Sequence, residues 1–174
     1  MKNLLTTPLV IFALLAPLNA GADFEKGVAA QLSGEYATAA HEYKKAAEQG
    51  DAWAQTNLGV MYENGQGVLQ DYKEAVRWFR LAAEQGIAQA QTNLGFMYEN
   101  GEGVIQDDKE AVKWYRLAAA QGHARAQANL GVMYANGEGV LQDDKEAVRW
   151  YRLAAEQGHA RAQANLGVMY ANGE

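Results

Sequence analysis

Residues 122–157 read GHARAQANLGVMYANGEGVLQDDKEAVRWYRLAAEQ, and this stretch decides the fold because the chain repeats it. The preceding unit, 86–121, differs from it at eight positions, and unit 50–85 differs from it at seven. The segment 158–174 repeats 122–138 without a change. Self-similarity at a fixed period of 36 residues is the signature of a repeat protein whose units stack on one another.

Each unit predicts two helices joined by a glycine-rich loop. Apolar residues recur at helical spacing from Asp51 to Glu63, and Gly65 follows where a left-handed residue ends a helix. Asp71 then starts a capping box. In this motif the Asp71 side chain accepts from the Glu74 amide, and the Glu74 side chain accepts from the Asp71 amide. The predicted fold is therefore all-α: an α-solenoid of stacked antiparallel helix hairpins with 36-residue repeats.

Small and flexible side chains recur inside the first helix of every unit. A glycine within a helix costs about 0.5–1 kcal/mol relative to Ala, so its recurrence requires a packing reason. Methionines at core spacing are expected to fill gaps rather than to hold a metal. The residues concerned are Gly59, Gly95, Gly131, Gly167, Met61, Met97, Met133 and Met169.

Three motifs recur in order along the chain. They are Ala-x-Ala-Gln-x-Asn-Leu-Gly-x-Met-Tyr, Asn-Gly-x-Gly-Val and Asp-x-Lys-Glu-Ala-Val-x-Trp-aromatic-Arg-Leu-Ala-Ala-x-Gln-Gly. Together they resemble the Sel1-like repeat family, and the shorter hairpin at 21–49 is similar to the related tetratricopeptide repeat. The resemblance covers roughly 23–174. It implies a right-handed superhelix that presents a concave groove to proteins or peptides, in a secreted bacterial type of protein.

The first twenty residues differ in composition from the rest. Lys2 is followed by an apolar run from Leu4 to Ala16 and by the exit Leu18-Asn19-Ala20, which is typical of a secretory signal peptide. We expect cleavage after Ala20, periplasmic or secreted protein, and no membrane span after removal. A retained membrane helix, the alternative, needs about 20 apolar residues. Mass spectrometry of the protein from a native-like host distinguishes a cleaved segment from a retained one.

Composition excludes several classes of function. The chain has 174 residues, a net charge of −6 and no block of Lys or Arg, so nucleic acid is not an expected partner. It has no Cys, which excludes disulfides, thiolate zinc sites and cysteine nucleophiles. His123 and His159 are predicted to be exposed turn residues beside helix starts. We therefore assign no metal and no cofactor.

A hydrolase is the alternative function. A Cys-rich subgroup of the family that this chain resembles has carried a β-lactamase label, which suggests a β-lactam or cell-wall hydrolase. A serine acyl-enzyme needs a Ser activated by a base, as in Ser-x-x-Lys, and Ser33 is the only Ser after residue 20. It is followed by Gly34-Glu35-Tyr36, so no catalytic residue is assigned. Hydrolysis of a chromogenic β-lactam that Ser33→Ala abolishes would favour the hydrolase.

The near-identical units differ mainly at four places of the first helix. Their spacing of 3, 4 and 3 residues places them on one helix face, which we predict to line the groove. The alternative is that these positions lie on a solvated face and vary by neutral drift of the sequence. The four sets are Trp53/Gln89/Arg125/Arg161, Thr56/Thr92/Ala128/Ala164, Val60/Phe96/Val132/Val168 and Glu63/Glu99/Ala135/Ala171.

An asparagine also recurs beside this face in every first helix. Its amide can hold the main chain of an extended peptide, or it can bond the backbone of a neighbouring repeat. We therefore expect a non-catalytic scaffold that binds a protein or peptide of unknown identity. The predicted binding residues are Trp53, Asn57, Asn93, Phe96, Arg125, Asn129 and Arg161.

The sequence stops at Asn172-Gly173-Glu174, just after a first helix. A solenoid normally closes with a polar-faced cap. We therefore expect end-to-end self-association or fraying within 159–174. A further possibility is that the chain is a truncated copy of a longer repeat protein.

Overall fold

The computed structural model describes residues 20–171 and residue 173, and within them the chain is all-α. The predicted signal peptide lies outside the described residues except for Ala20. Nine helices of 12 or 13 residues follow one another in the described part. They are α1 Ala20–Leu32, α2 Tyr36–Glu48, α3 Ala52–Asn64, α4 Tyr72–Glu84, α5 Ala88–Asn100, α6 Asp108–Ala120, α7 Ala124–Asn136, α8 Asp144–Glu156 and α9 Ala160–Ala171.

Helix packing follows chain order, so the molecule is an α-solenoid. Each helix packs on the helices before and after it, as short connections between antiparallel neighbours require. Four apolar clusters run along the chain, each built from successive helices. Met61, Met97 and Met133 are fully buried in them, which confirms the predicted core role of these side chains.

The helix ends follow the predicted capping with one correction. Asp71 Oδ1 accepts from the amides of Lys73 at 2.9 Å and Glu74 at 3.1 Å. The Glu74 carboxylate does not reach back to Asp71; it pairs with Arg77 at 3.2 Å. The Asp71 amide instead donates to the Tyr62 carbonyl at 3.0 Å. This bond ties the loop to the preceding helix, so the reciprocal half of the capping box was a wrong prediction.

A row of glutamines joins successive hairpins, and the sequence analysis did not single it out. Gln91 Nε2 donates to the Ala83 carbonyl at 3.1 Å, and Gln121 Nε2 donates to Gln91 Oε1 at 2.8 Å. The same pair of bonds is made by Gln55 and Gln127 in the neighbouring repeats. Because Gln91 is buried, loss of its partners would leave polar groups without hydrogen bonds.

The exposure of α9 differs from that of the earlier first helices. Met169 is buried, but Val168 and Tyr170 are more than half exposed.

Within residues 20–171, every helix is too short or too polar to cross a bilayer.

Candidate protein-binding face

The first helices of successive repeats lie side by side on one face of the solenoid. Arg125 of α7 donates from Nη1 to Oδ1 of Asn93 in α5, at 3.3 Å. Its guanidinium carbon also lies 5.7 Å from the centroid of the Phe96 ring, a cation–π distance. Because both contacts cross from α7 to α5, we call the surface formed by α3, α5, α7 and α9 the first-helix face.

The predicted binding residues differ in exposure on the first-helix face. Trp53 is 55% exposed, and Arg125 and Arg161 are exposed as well. Asn93 is only 3% exposed, because Arg125 and Gln89 cover its carboxamide. The remaining three are partly buried at the surface: Asn57, Phe96 and Asn129. Among the predicted residues, one large aromatic ring and two arginines are therefore exposed.

One of the four variable places does not face the predicted groove. Thr56, Thr92 and Ala128 are buried. The Thr92 hydroxyl donates to the Ala88 carbonyl at 2.8 Å and lies 2.8 Å from Nδ1 of His123 in the next repeat. Differences at this place therefore adjust the packing between repeats, because a 3, 4, 3 spacing spans an arc that reaches the buried side of the helix.

An aromatic ring from each second helix packs on the glycine inside the first helix of the same hairpin. A methyl group added at Gly95 would lie 2.7 Å from Tyr115 Cε1, so only hydrogen leaves room for the ring. Four residues after each glycine stands the residue that faces the end of the ring. The four sets of glycine, ring and facing residue are Gly27/Tyr43/Gln31, Gly59/Phe79/Glu63, Gly95/Tyr115/Glu99 and Gly131/Tyr151/Ala135.

In two of these sets the tyrosine hydroxyl donates a hydrogen bond to the facing residue. Tyr43 donates to Gln31 Oε1 at 2.7 Å, and Tyr115 donates to Glu99 Oε2. Burial, together with the Glu99 carboxylate, raises the pKa of Tyr115, so this hydroxyl keeps its proton. Asn129 of the next repeat lies near the Tyr115 hydroxyl and opposes the rise in its pKa, as Asn57 does for Tyr43. Asn57 and Asn129 thus lie near tyrosine hydroxyls, whereas Asn93 contacts Arg125 and Gln89.

The other two sets are incomplete. Phe79 has no hydroxyl, so the half-buried Glu63 carboxylate receives no such bond, and burial raises the pKa of Glu63 although Arg125 opposes the shift. Tyr151 has a hydroxyl, but Ala135 stands where Glu99 stands one repeat earlier. A cavity of about 280 Å³, lined in part by Tyr151, opens on the first-helix face.

His123 is half-buried at the start of α7 rather than exposed, which corrects the prediction for this residue. Burial lowers the pKa of His123, and Arg125 and His159 add to the effect. Below pH of about 6.5 the unfolded chain therefore binds more protons than the folded chain, so stability falls as pH drops toward the folded pKa.

We expect an NMR titration to show the His123 pKa below its usual value and to show it rising in Arg125→Ala. Urea unfolding should show a loss of stability between pH 7.5 and 5.5 that is smaller in His123→Ile. That variant copies Ile87, the equivalent residue one repeat earlier. An unshifted His123 pKa in the parent protein would contradict the burial argument.

The described residues contain no group of three or more His, Asp or Glu side chains that could hold a metal ion. Ser33, the candidate nucleophile of the hydrolase alternative, is exposed in the turn between α1 and α2. Within residues 20–171, no base hydrogen-bonds the Ser33 hydroxyl.

Comparisons with known proteins agree with this architecture. The Sel1 repeat family model matches residues 39–51, 54–87, 88–123, 124–159 and 160–174. A crystal structure of a protective antigen from uropathogenic Escherichia coli strains is 44% identical, with a TM-score of 0.84 over 88% of this chain and 34% of the antigen. A Sel1 repeat protein from Oxalobacter formigenes is 40% identical, with a TM-score of 0.81 over 87% of this chain and 60% of that protein.

Cysteine-rich protein B of Helicobacter pylori is more distant, at 25% identity and a TM-score of 0.58 over 72% of this chain and 90% of that protein. The present chain thus spans about a third of the length of the Escherichia coli antigen and 60% of the Oxalobacter protein. The search of curated proteins gave no significant match.

Proposed function

Because this chain belongs to the Sel1 repeat family, we propose that it is a non-catalytic scaffold that binds a protein or peptide segment along the first-helix face. Proteins of this family generally bind protein partners. The observation that carries the choice of face is the Arg125 guanidinium, which is exposed, bonded to Asn93 and placed over Phe96 across two repeats. An ordered Arg beside aromatic surface is a frequent anchor of protein interfaces.

Exposed Trp53 supports the same face from the preceding repeat. A half-exposed indole contributes little to the core, yet Trp and Arg dominate binding energy at interfaces, where truncation commonly costs about 2 kcal/mol or more. The face also changes in charge along the solenoid, because Glu63 and Glu99 precede Arg125 and Arg161. Such a gradient orients a bound segment.

We expect Trp53→Ala combined with Arg125→Ala to weaken partner binding by at least about thirtyfold, the equivalent of one hot-spot residue. The measurement is a quantitative pull-down from an envelope extract, followed by titration of the captured partner. Helical circular dichroism and thermal melting should remain nearly unchanged because the Trp53 and Arg125 side chains are exposed.

A matched control removes exposed side chains from a second helix. Lys113→Ala combined with Leu117→Ala changes α6 and should leave partner binding intact. Equal loss in both double variants would contradict the choice of face. A large fall in the melting temperature of the first double variant would instead show that Trp53 stabilises the fold.

We also propose that the protein acts outside the cytoplasm, in the periplasm or beyond the cell. The support is the signal-peptide pattern of the first twenty residues, in which Lys2 precedes an apolar run and the expected cleavage site follows Ala20. An intact Met1 in a cytoplasmic pool would contradict this proposal.

A further inference from the structure

A cavity beside Tyr151 is lined by both polar and apolar side chains. Its volume is about 280 Å³, and its polar lining comes from Asn136, Tyr151, Arg161 and Asn165. Val132 and Val168 form part of its apolar wall. The cavity lies on the first-helix face, between α7 and α9, so a segment bound there would reach it.

The preceding repeat shows what is missing from this cavity. There, the Tyr115 hydroxyl donates to the Glu99 carboxylate, and Asn129 of the next first helix lies near the same hydroxyl. In the cavity, Tyr151 and Asn165 keep these positions, but Ala135 replaces the glutamate. Tyr151 and Asn165 therefore line a cavity in a repeat that lacks the carboxylate present one repeat earlier.

The Tyr151 hydroxyl has a proton without an acceptor among residues 20–171. The side chain is only 3% exposed, yet no carboxylate or carbonyl oxygen of the described residues accepts from it. Asn165 lines the same cavity, so its amide can also donate to a ligand oxygen. A ligand oxygen that enters the cavity can therefore accept a hydrogen bond from the Tyr151 hydroxyl.

Arg161 gives the cavity its positive charge. It lines the same space and acts on Tyr151 through its charge. Within residues 20–171, no Asp or Glu lies within ion-pair distance of Arg161. An incoming cation would be repelled there, and an apolar group would leave both the guanidinium and the hydroxyl without an acceptor.

We propose that this cavity binds the carboxylate of an Asp or Glu side chain on the partner segment. The carboxylate takes the place that Glu99 occupies in the preceding repeat: it accepts from the Tyr151 hydroxyl and pairs with Arg161. This assignment rests on the proposed function, since it requires a partner along the first-helix face. It adds the chemistry of the partner, an extended segment with an acidic side chain over the last two repeats.

The test uses peptides selected from a random twelve-residue phage-displayed library on the parent protein. Selected peptides should share an Asp or Glu, and its change to Asn or Gln should weaken binding by about tenfold or more, as for a hydrogen bond to a charged group. Ala135→Glu provides the carboxylate from the protein itself and should reduce binding of the acidic peptides by at least a similar factor.

Tyr151→Phe is the second variant. It removes only the hydroxyl group of the side chain. It should remove most of the preference of the protein for the acidic peptide over its amide counterpart in a double-mutant cycle. Tyr115→Phe is the matched control: it makes the same change one repeat earlier, where Glu99 already fills the space, and should leave that preference unchanged. Circular dichroism checks the fold of each variant.

The outcomes separate the two proposals. Peptides that need Trp53 and Arg125 but tolerate loss of their acidic residue would overturn the carboxylate site and leave the scaffold function in place. Equal binding of acidic peptides by the parent and by folded Ala135→Glu would do the same. If no selected peptide depends on Trp53 or Arg125, both proposals fail.

Discussion

Gly131→Ala should lower the free energy of unfolding by about 2–3 kcal/mol, whereas Gly167→Ala should leave it unchanged or raise it by up to about 1 kcal/mol. The two glycines occupy the same position in identical stretches of sequence. A methyl group on Gly131 would lie 2.6 Å from Cδ1 and Cε1 of Tyr151, whereas nothing lies within 4 Å of one on Gly167. Tyr151 is almost fully buried, so its ring cannot move away without disturbing α8.

Urea unfolding of the two variants measures the difference, and the pair controls for helix propensity because both changes replace a helical Gly by Ala. At Gly167 only the propensity gain remains, which favours Ala. Equal stability of the two variants would contradict ring packing as the reason for the glycine. Gly95→Ala gives a further check, since its methyl group would meet Tyr115 in the same way.

The repeat architecture could be predicted because it depends on periodicity. A 36-residue repeat with apolar residues at helical spacing predicts helix hairpins, and buried Met61 and Met97 follow from the same pattern. The need for a packing reason behind the helical glycines could also be predicted. The identity of the ring that each glycine faces could not, because that contact depends on how two helices cross rather than on the spacing within one.

The candidate site was harder to predict for a similar reason. The variable places share one arc of the helix, but the sequence does not show where the neighbouring repeat covers that arc, so Thr92 was placed in the groove although it is buried. Asn93 was expected to meet a ligand, yet Arg125 covers it. A comparison of Phe79 and Ala135 with their equivalents in the other repeats would have indicated the incomplete pairs, once the contact between Tyr115 and Glu99 was known.

The loop glycine Gly103 should tolerate substitution much less well than a glycine with open surroundings, such as Gly122. Gly103 has a positive φ of 71°, and an added methyl group would overlap the carbonyl of Tyr72, the first residue of α4. Gly67 and Gly139 approach the backbone of their preceding hairpins in the same way. We expect Gly103→Ala to destabilise the protein by about 3 kcal/mol or more, because left-handed strain and overpacking add.

Gly122→Ala is the matched control for Gly103→Ala. Gly122 also has a positive φ, of 84°, but nothing lies within 4 Å of an added methyl group, so only the strain of about 1–2 kcal/mol remains. Because the obstacle at Gly103 is main chain rather than a flexible side chain, the loop can only relieve it by moving off the preceding hairpin. That movement would change the spacing between α5 and its neighbours, so partner binding should weaken in Gly103→Ala and persist in Gly122→Ala. Equal melting temperatures for the two variants would show that the loop does not need its close approach to α4.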